Sequence, residues 1–210
     1  MKLTVAVAIL AVAATPAWAH RLDEYLQGTI VSIERNRFQA QLTLTPGVAV
    51  FPFVIADIDT NSDGTVSPEE QQAYATRVLQ DLSLAIDGTR LTPQLLTVNF
   101  PTVDEMKEGR GAIQLDFAAD LPRGGGHRKL AFENHHLARI AAYQVNSLVP
   151  RDPNLRITAQ TRNYTQSVYQ LEYDDTGVPS QSSERLLWAS PVALLLLFRL
   201  PFWRRERRVR

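Results

Sequence analysis

The sequence predicts a mainly β fold, an antiparallel β-sandwich with a single loop and helix inserted into it. Three observations carry this. Short segments rich in Val, Ile, Leu, Thr and aromatic residues alternate in polarity and are separated by Gly, Pro, Asn and Asp. One stretch, 52–83, breaks that period of two with an acidic loop that runs directly into a helical pattern. Apolar runs at the two ends of the chain, 5–14 and 186–198, lie outside the alternating region.

Residues 1–19 read as a secretory signal peptide. Lys2 supplies a positive start, 5–14 an apolar core, and Ala17-Trp18-Ala19 a small-x-small cleavage site. No cysteine follows that core, so lipoprotein processing is excluded, and His20 would begin the mature chain. Residues 20–173 then form the expected exported domain. Segments 29–34 and 38–44 flank Arg35-Asn36-Arg37 as a hairpin-like pair. Residues 52–58 leave room for about two helical turns, a short helix entering the loop.

The loop itself, Asp59-Thr60-Asn61-Ser62-Asp63-Gly64-Thr65-Val66-Ser67-Pro68-Glu69-Glu70, matches the twelve-residue EF-hand pattern. Asp59, Asn61 and Asp63 stand at positions 1, 3 and 5, where short oxygen side chains converge on one ion. Gly64 permits the sharp turn at position 6, and the carbonyl of Thr65 supplies a further oxygen. Ser67 ligates directly or through water, and Glu70 at position 12 clamps bidentately. Hard oxygens select calcium or magnesium over softer metals, and a bidentate glutamate suits the larger ion, calcium. Val66 suits the apolar slot beneath the loop. Ser67, Pro68 and Glu70 are at once a helix start: N-cap, first-turn proline and capping box. Glu70 therefore has two jobs open to it, chelation and capping. Ala75, Val78, Leu79 and Leu82 continue a helical stripe to about Ser83. No second loop is present, and in an exported protein an affinity on the order of 0.1–1 mM suffices for a structural ion.

Further strands are expected at 84–87 and from 91 onward, around an Asp87-Gly88 turn, then at 95–100, 112–118, 128–132, 140–149, 155–161 and 167–173. His127 follows three glycines and reads as an exposed turn residue. The stretch 134–139, with the adjacent His135 and His136, reads as a polar corner between strands or an anion contact. Residues 174–185 form a polar linker. Residues 186–203 are read as a single-pass transmembrane anchor: eighteen helical residues span about 27 Å against a hydrocarbon core of roughly 30 Å. Arg199 can snorkel, Trp188 and Trp203 suit the interfaces, and the arginine-rich 204–210 is placed in the cytoplasm. A tail cut off by a membrane protease and an amphipathic helix on the membrane surface are the alternatives.

Of 22 basic and 22 acidic residues, 15 basic and 21 acidic fall within 20–198, a net charge of −6 that argues against nucleic-acid binding. There is no cysteine, so the domain relies on its core. No Gly-x-Ser-x-Gly elbow and no phosphate-cradling loop is found, and no enzyme activity is expected.

The order "AHRLDEYL", EF-like loop, "YATRVLQDLSLAIDGTRL" and "LAFENHHLARIAAYQV" resembles the exported N-terminal domain of nickel/cobalt-permease and hydrogenase/urease-accessory membrane proteins. It is closer still to uncharacterised bacterial EF-hand proteins with a C-terminal membrane anchor. The resemblance implies a β-rich domain on the outer face of the membrane, beside metal-handling machinery. The multi-span module of the permeases is not in this chain, so transport is not carried over. The expected function is a calcium-binding, membrane-anchored interaction or structural module on the periplasmic or extracellular side, an accessory to a membrane-protein partner. The alternative is a periplasmic handler of nickel, cobalt or copper that uses His20 and the other histidines.

Overall fold

The computed structural model describes residues 23–177. The expected signal peptide, His20, the anchor and the basic tail lie outside the described residues. Among those described, 48% are strand and 17% helix, so the domain is mainly β. The order is β1 (Tyr25–Glu34), β2 (Arg37–Pro46), α1 (Phe51–Ile58), α2 (Pro68–Gln80), β3 (Leu82–Ile86), β4 (Thr89–Leu91), β5 (Gln94–Asn99), α3 (Val103–Lys107), β6 (Ile113–Asp120), β7 (Gly126–Asn134), β8 (Ala141–Ser147), β9 (Leu155–Arg162) and β10 (Val168–Asp175).

Two five-stranded sheets result, ordered β5-β6-β2-β1-β8 and β4-β3-β7-β10-β9. Their inward residues follow from the period of two. Val31, Ile33, Phe38, Leu42, Leu115 and Phe117 line one sheet; Leu84, Ile86, Leu130, Phe132, Tyr169 and Leu171 line the other. Phe117 of the first stacks on Phe132 of the second, ring centroids 6.5 Å apart, which makes this a sandwich with one shared core.

The hairpin β1–β2 turns through Arg35 and Asn36, with Glu34 opposite Arg37. At the β3–β4 turn Asp87 and Gly88 have φ of +50° and +80°. Two successive left-handed residues are the signature of a type I′ turn, as the Asp-Gly pair predicts.

The sandwich is not antiparallel throughout, because β8 runs parallel to β1. The chain leaves β7, crosses from one sheet to the other through a corner at 135–140, and so enters β8 at the end where β1 also begins, the Tyr25 amide bonding to the Ile140 carbonyl at 2.7 Å. Several boundaries also differ from the sequence expectation, β1 beginning at Tyr25 rather than 29 among them, and three bear on the residues discussed below. The helical stripe stops at Gln80 rather than Ser83, since Leu82 is claimed by β3 opposite Asn134. β10 runs to Asp175, past the expected linker start at 174: Asp174 and Asp175 stay in register with His127 and Gly126. His127 accordingly lies within β7, exposed but not in a turn.

The inserted α1 and α2 carry the chain from β2 in one sheet to β3 in the other. Phe51, Val54 and Ile58 on α1 and Tyr74, Ala75 and Val78 on α2 join the core. Arg77 ties the two helices, reaching both the carbonyl and the carboxylate of Asp57. Among the described residues no helix is long and apolar enough to cross a membrane.

Candidate metal centre

The loop between α1 and α2 is folded by its own side chains. Asp59, the C-cap of α1, accepts the backbone N–H of Asp63 at 3.2 Å on Oδ1 and of Gly64 at 2.9 Å on Oδ2. Asn61 Oδ1 accepts the Asp63 amide at 2.9 Å, and Asp63 Oδ1 accepts the Thr65 amide at 2.9 Å and the Thr65 hydroxyl at 2.7 Å. These are successive Asx turns, the local geometry Asp and Asn favour. Ser62 and Gly64 take up left-handed backbone, φ +60° and +83°, and only at Gly64 does the absent Cβ make this easy. Val66 packs on the core.

Glu70 joins the two ends of the loop. Its Oε1 accepts the Thr60 amide at 2.8 Å and the Thr60 hydroxyl at 3.1 Å; its Oε2 accepts the Ser67 amide and hydroxyl, each at 3.0 Å. Ser67 returns the favour by accepting the Glu70 amide at 3.2 Å, completing the capping box. Hydrogen bonds to the charged form hold both Glu70 and Asp63 below the ordinary carboxylate range, led by the Ser67 amide at Glu70 and the Thr65 hydroxyl at Asp63. Asp59 and Glu70 are buried; Asn61, Asp63 and Thr65 are exposed.

The six expected ligand positions, Asp59, Asn61, Asp63, Thr65, Ser67 and Glu70, thus share one tight loop, and the donor types are hard oxygens that fit a calcium ion. Their side chains are turned on backbone amides, and among the described residues no three His, Cys, Asp or Glu side chains gather closely enough to hold a metal. Of Glu70's two possible roles, capping is the one seen.

The described histidines do not converge. His127 sits at one end of β7, with Asp174 at 3.0 Å, while His135 and His136 follow the other end. The latter two lie in the corner after β7 and differ in burial: His135 is exposed beside Glu133, and His136 is 2% exposed.

His136 belongs to a polar cluster that sequence reasoning missed. Tyr25 and Tyr74 hydroxyls are 2.7 Å apart, Tyr74 Oη is 2.9 Å from His136 Nε2, and His136 Nδ1 is 2.8 Å from Asp81 Oδ2. Gln27 and Asn134 fix the backbone around it: Gln27 donates to the His136 carbonyl, and Asn134 accepts the His136 amide and donates to Gln27. Partners 49 to 62 residues apart in sequence leave no local spacing signal. The short α3 was also missed, although Thr102 and Glu105 spell a capping box. In comparison with known proteins, no family and no curated protein matches this chain.

Proposed function

We propose that this chain is a calcium-binding exported module, anchored to the membrane by residues 186–203, in which the ion fixes the α1–loop–α2 unit on the sandwich for an accessory role beside a membrane protein. The observation that carries the reading is Glu70: one carboxylate already links position 2 of the loop to position 9 and to the helix N-terminus. Asp59, Asn61, Asp63, Ser67 and Glu70 would supply side-chain oxygens and Thr65 its carbonyl. Calcium would exchange for the bonds that Glu70 makes to Thr60 and Ser67, and it would draw the carboxylates of Asp59, Asp63 and Glu70 together and neutralise their charge.

The course of the chain favours a partner at the far end. β10 ends at Asp175 opposite Gly126, whereas the C-terminal end of α2 reaches the other end of β7, where Leu82 meets Asn134. A tether that follows residue 177 would hold the C-terminal end of α2 and the 135–140 corner away from the membrane. The described histidines, His127, His135 and His136, do not converge and lend the transition-metal alternative no comparable support.

Calorimetric titration of the full chain in detergent tests the proposal. Calcium binding in the range of 0.1–1 mM, lost in Glu70→Gln, is expected. No heat of binding, with the same melting temperature in calcium and in chelator, would end it.

A further inference from the structure

The cluster around His136 has a fixed direction of donation. Asp81 Oδ2 only accepts, so His136 Nδ1 carries the proton that faces it at 2.8 Å. Nε2 of the neutral ring is then an acceptor, and the Tyr74 hydroxyl donates to it at 2.9 Å. The Tyr74 oxygen in turn accepts from Tyr25 at 2.7 Å. Every proton has one acceptor. Tyr25, Tyr74 and His136 are 0%, 0% and 2% exposed, and Tyr25 Oη has no other hydrogen-bond partner among the described residues.

A second proton on His136 breaks this order. Nε2 becomes a donor and claims the Tyr74 oxygen; the Tyr74 proton must swing to Tyr25; and the Tyr25 proton is left facing the core with no acceptor. We propose that the Tyr25–Tyr74–His136–Asp81 chain is an acid-sensitive latch, in which protonation of His136 releases the C-terminal half of α2 from the sheet. The latch spans three elements: Tyr25 is on β1, Tyr74 on α2 with Asp81 as its C-cap, and His136 opens the corner that leads to β8, where the His135 amide also donates to the Asp81 carbonyl at 3.1 Å.

The charged and titratable groups around the ring are few. Asp81 touches it, Asp57 of α1 and Arg77 of α2 act from further off, the two tyrosines flank it, and Tyr143 of β8 donates to its carbonyl at 3.1 Å. Burial outweighs the attraction of Asp81 and holds His136 below its ordinary value of 6.5. The opened segment takes the proton more readily than the closed one, so the latch is intact above about pH 6.5 and weakens as pH falls from there toward the lowered value of the closed state.

Amide hydrogen exchange of the full chain, in detergent with chelator and corrected for the intrinsic rate, tests this between pH 7.5 and 5. The opening equilibrium of amides in the second half of α2 and in the 135–140 corner is expected to rise by up to about tenfold per pH unit below the ordinary histidine range, with β2, β6 and β7 unchanged. Asp81→Asn, at a half-exposed position, keeps an acceptor but removes the negative charge, which lowers the closed-state value alone; the onset should stay in the ordinary histidine range while the rise continues to lower pH than in the unaltered chain, and His136→Gln should abolish it. Flat protection across the window in the unaltered chain overturns the latch. So does an Asp81→Asn chain whose rise levels off at the same pH as in the unaltered chain.

Discussion

Two tyrosine-to-phenylalanine changes, each removing a single oxygen without opening a cavity, should differ sharply in cost. Tyr74 stands in the middle of the chain, accepting from Tyr25 and donating to His136. Tyr74→Phe strands two buried groups at once, the Tyr25 proton and the His136 Nε2 lone pair. At about 1–3 kcal/mol for each unmet buried group, the loss should be about 3 kcal/mol. Tyr25→Phe removes only the outermost donor; the Tyr74 proton still reaches His136, and the loss should be about 1 kcal/mol. In a domain of this size 1 kcal/mol moves the melting temperature by about 2–4 °C, so about 6–12 °C is expected for the first variant and about 2–4 °C for the second. Urea denaturation at pH 7.5, where His136 is neutral, measures both on one scale. Equal losses, or a larger loss for Tyr25→Phe, would show that donation does not run from Tyr25 toward Asp81, and the latch would fall with it.

Two further perturbations probe other parts of the molecule. Gly64→Ala and Gly88→Ala each place a side chain at φ near +80°, where a new Cβ meets nothing; each should cost about 1 kcal/mol from backbone strain alone, but only Gly64→Ala should also weaken calcium binding in calorimetry. Phe117→Ala removes the ring that stacks across the two sheets at 6.5 Å and should cost about 3–5 kcal/mol in urea denaturation; a loss below 1 kcal/mol would mean that the sheets do not share that contact.

What could be read from the sequence was whatever local spacing enforces. The Asp87-Gly88 pair predicts its turn because few residues tolerate two positive φ angles in succession. Ser67, Pro68 and Glu70 predict a helix start, and the capping box is there. Polarity misled where tertiary partners override it. Asp174 and Asp175 look like linker, yet Asp174 meets His127 and Arg156 across the strand, and Asp175 is 2% exposed with its carboxylate on the Gly177 amide. Leu82 continues a helical stripe by spacing but faces the sandwich from β3, because the chain must turn at Asp81 to reach the second sheet. Neither the parallel pairing of β8 nor the partners of His136 has a local signal, since both depend on where the corner at 135–140 arrives.

These contacts give α2 two separate attachments. Its first turn is tied to the loop by Glu70 and Ser67, where a calcium ion would act. Its middle and its C-cap are tied to the sandwich by Tyr74 and by Asp81 through His136, where a proton would act. Arg77 lies between them and holds α1 alongside. The two ends draw on different chemistry: carboxylates with lowered pKa values stay charged well below the pH at which His136, in an opened segment, begins to protonate. Acidification from neutral pH should therefore loosen the sandwich end of α2 first, while the loop end keeps its negative charge. If calcium binding fixes the loop end, the ion cannot by itself restore the other, because no bond of Glu70 reaches His136. A surface formed by the helix and the 135–140 corner would then require both conditions together, the ion in the loop and the imidazole neutral.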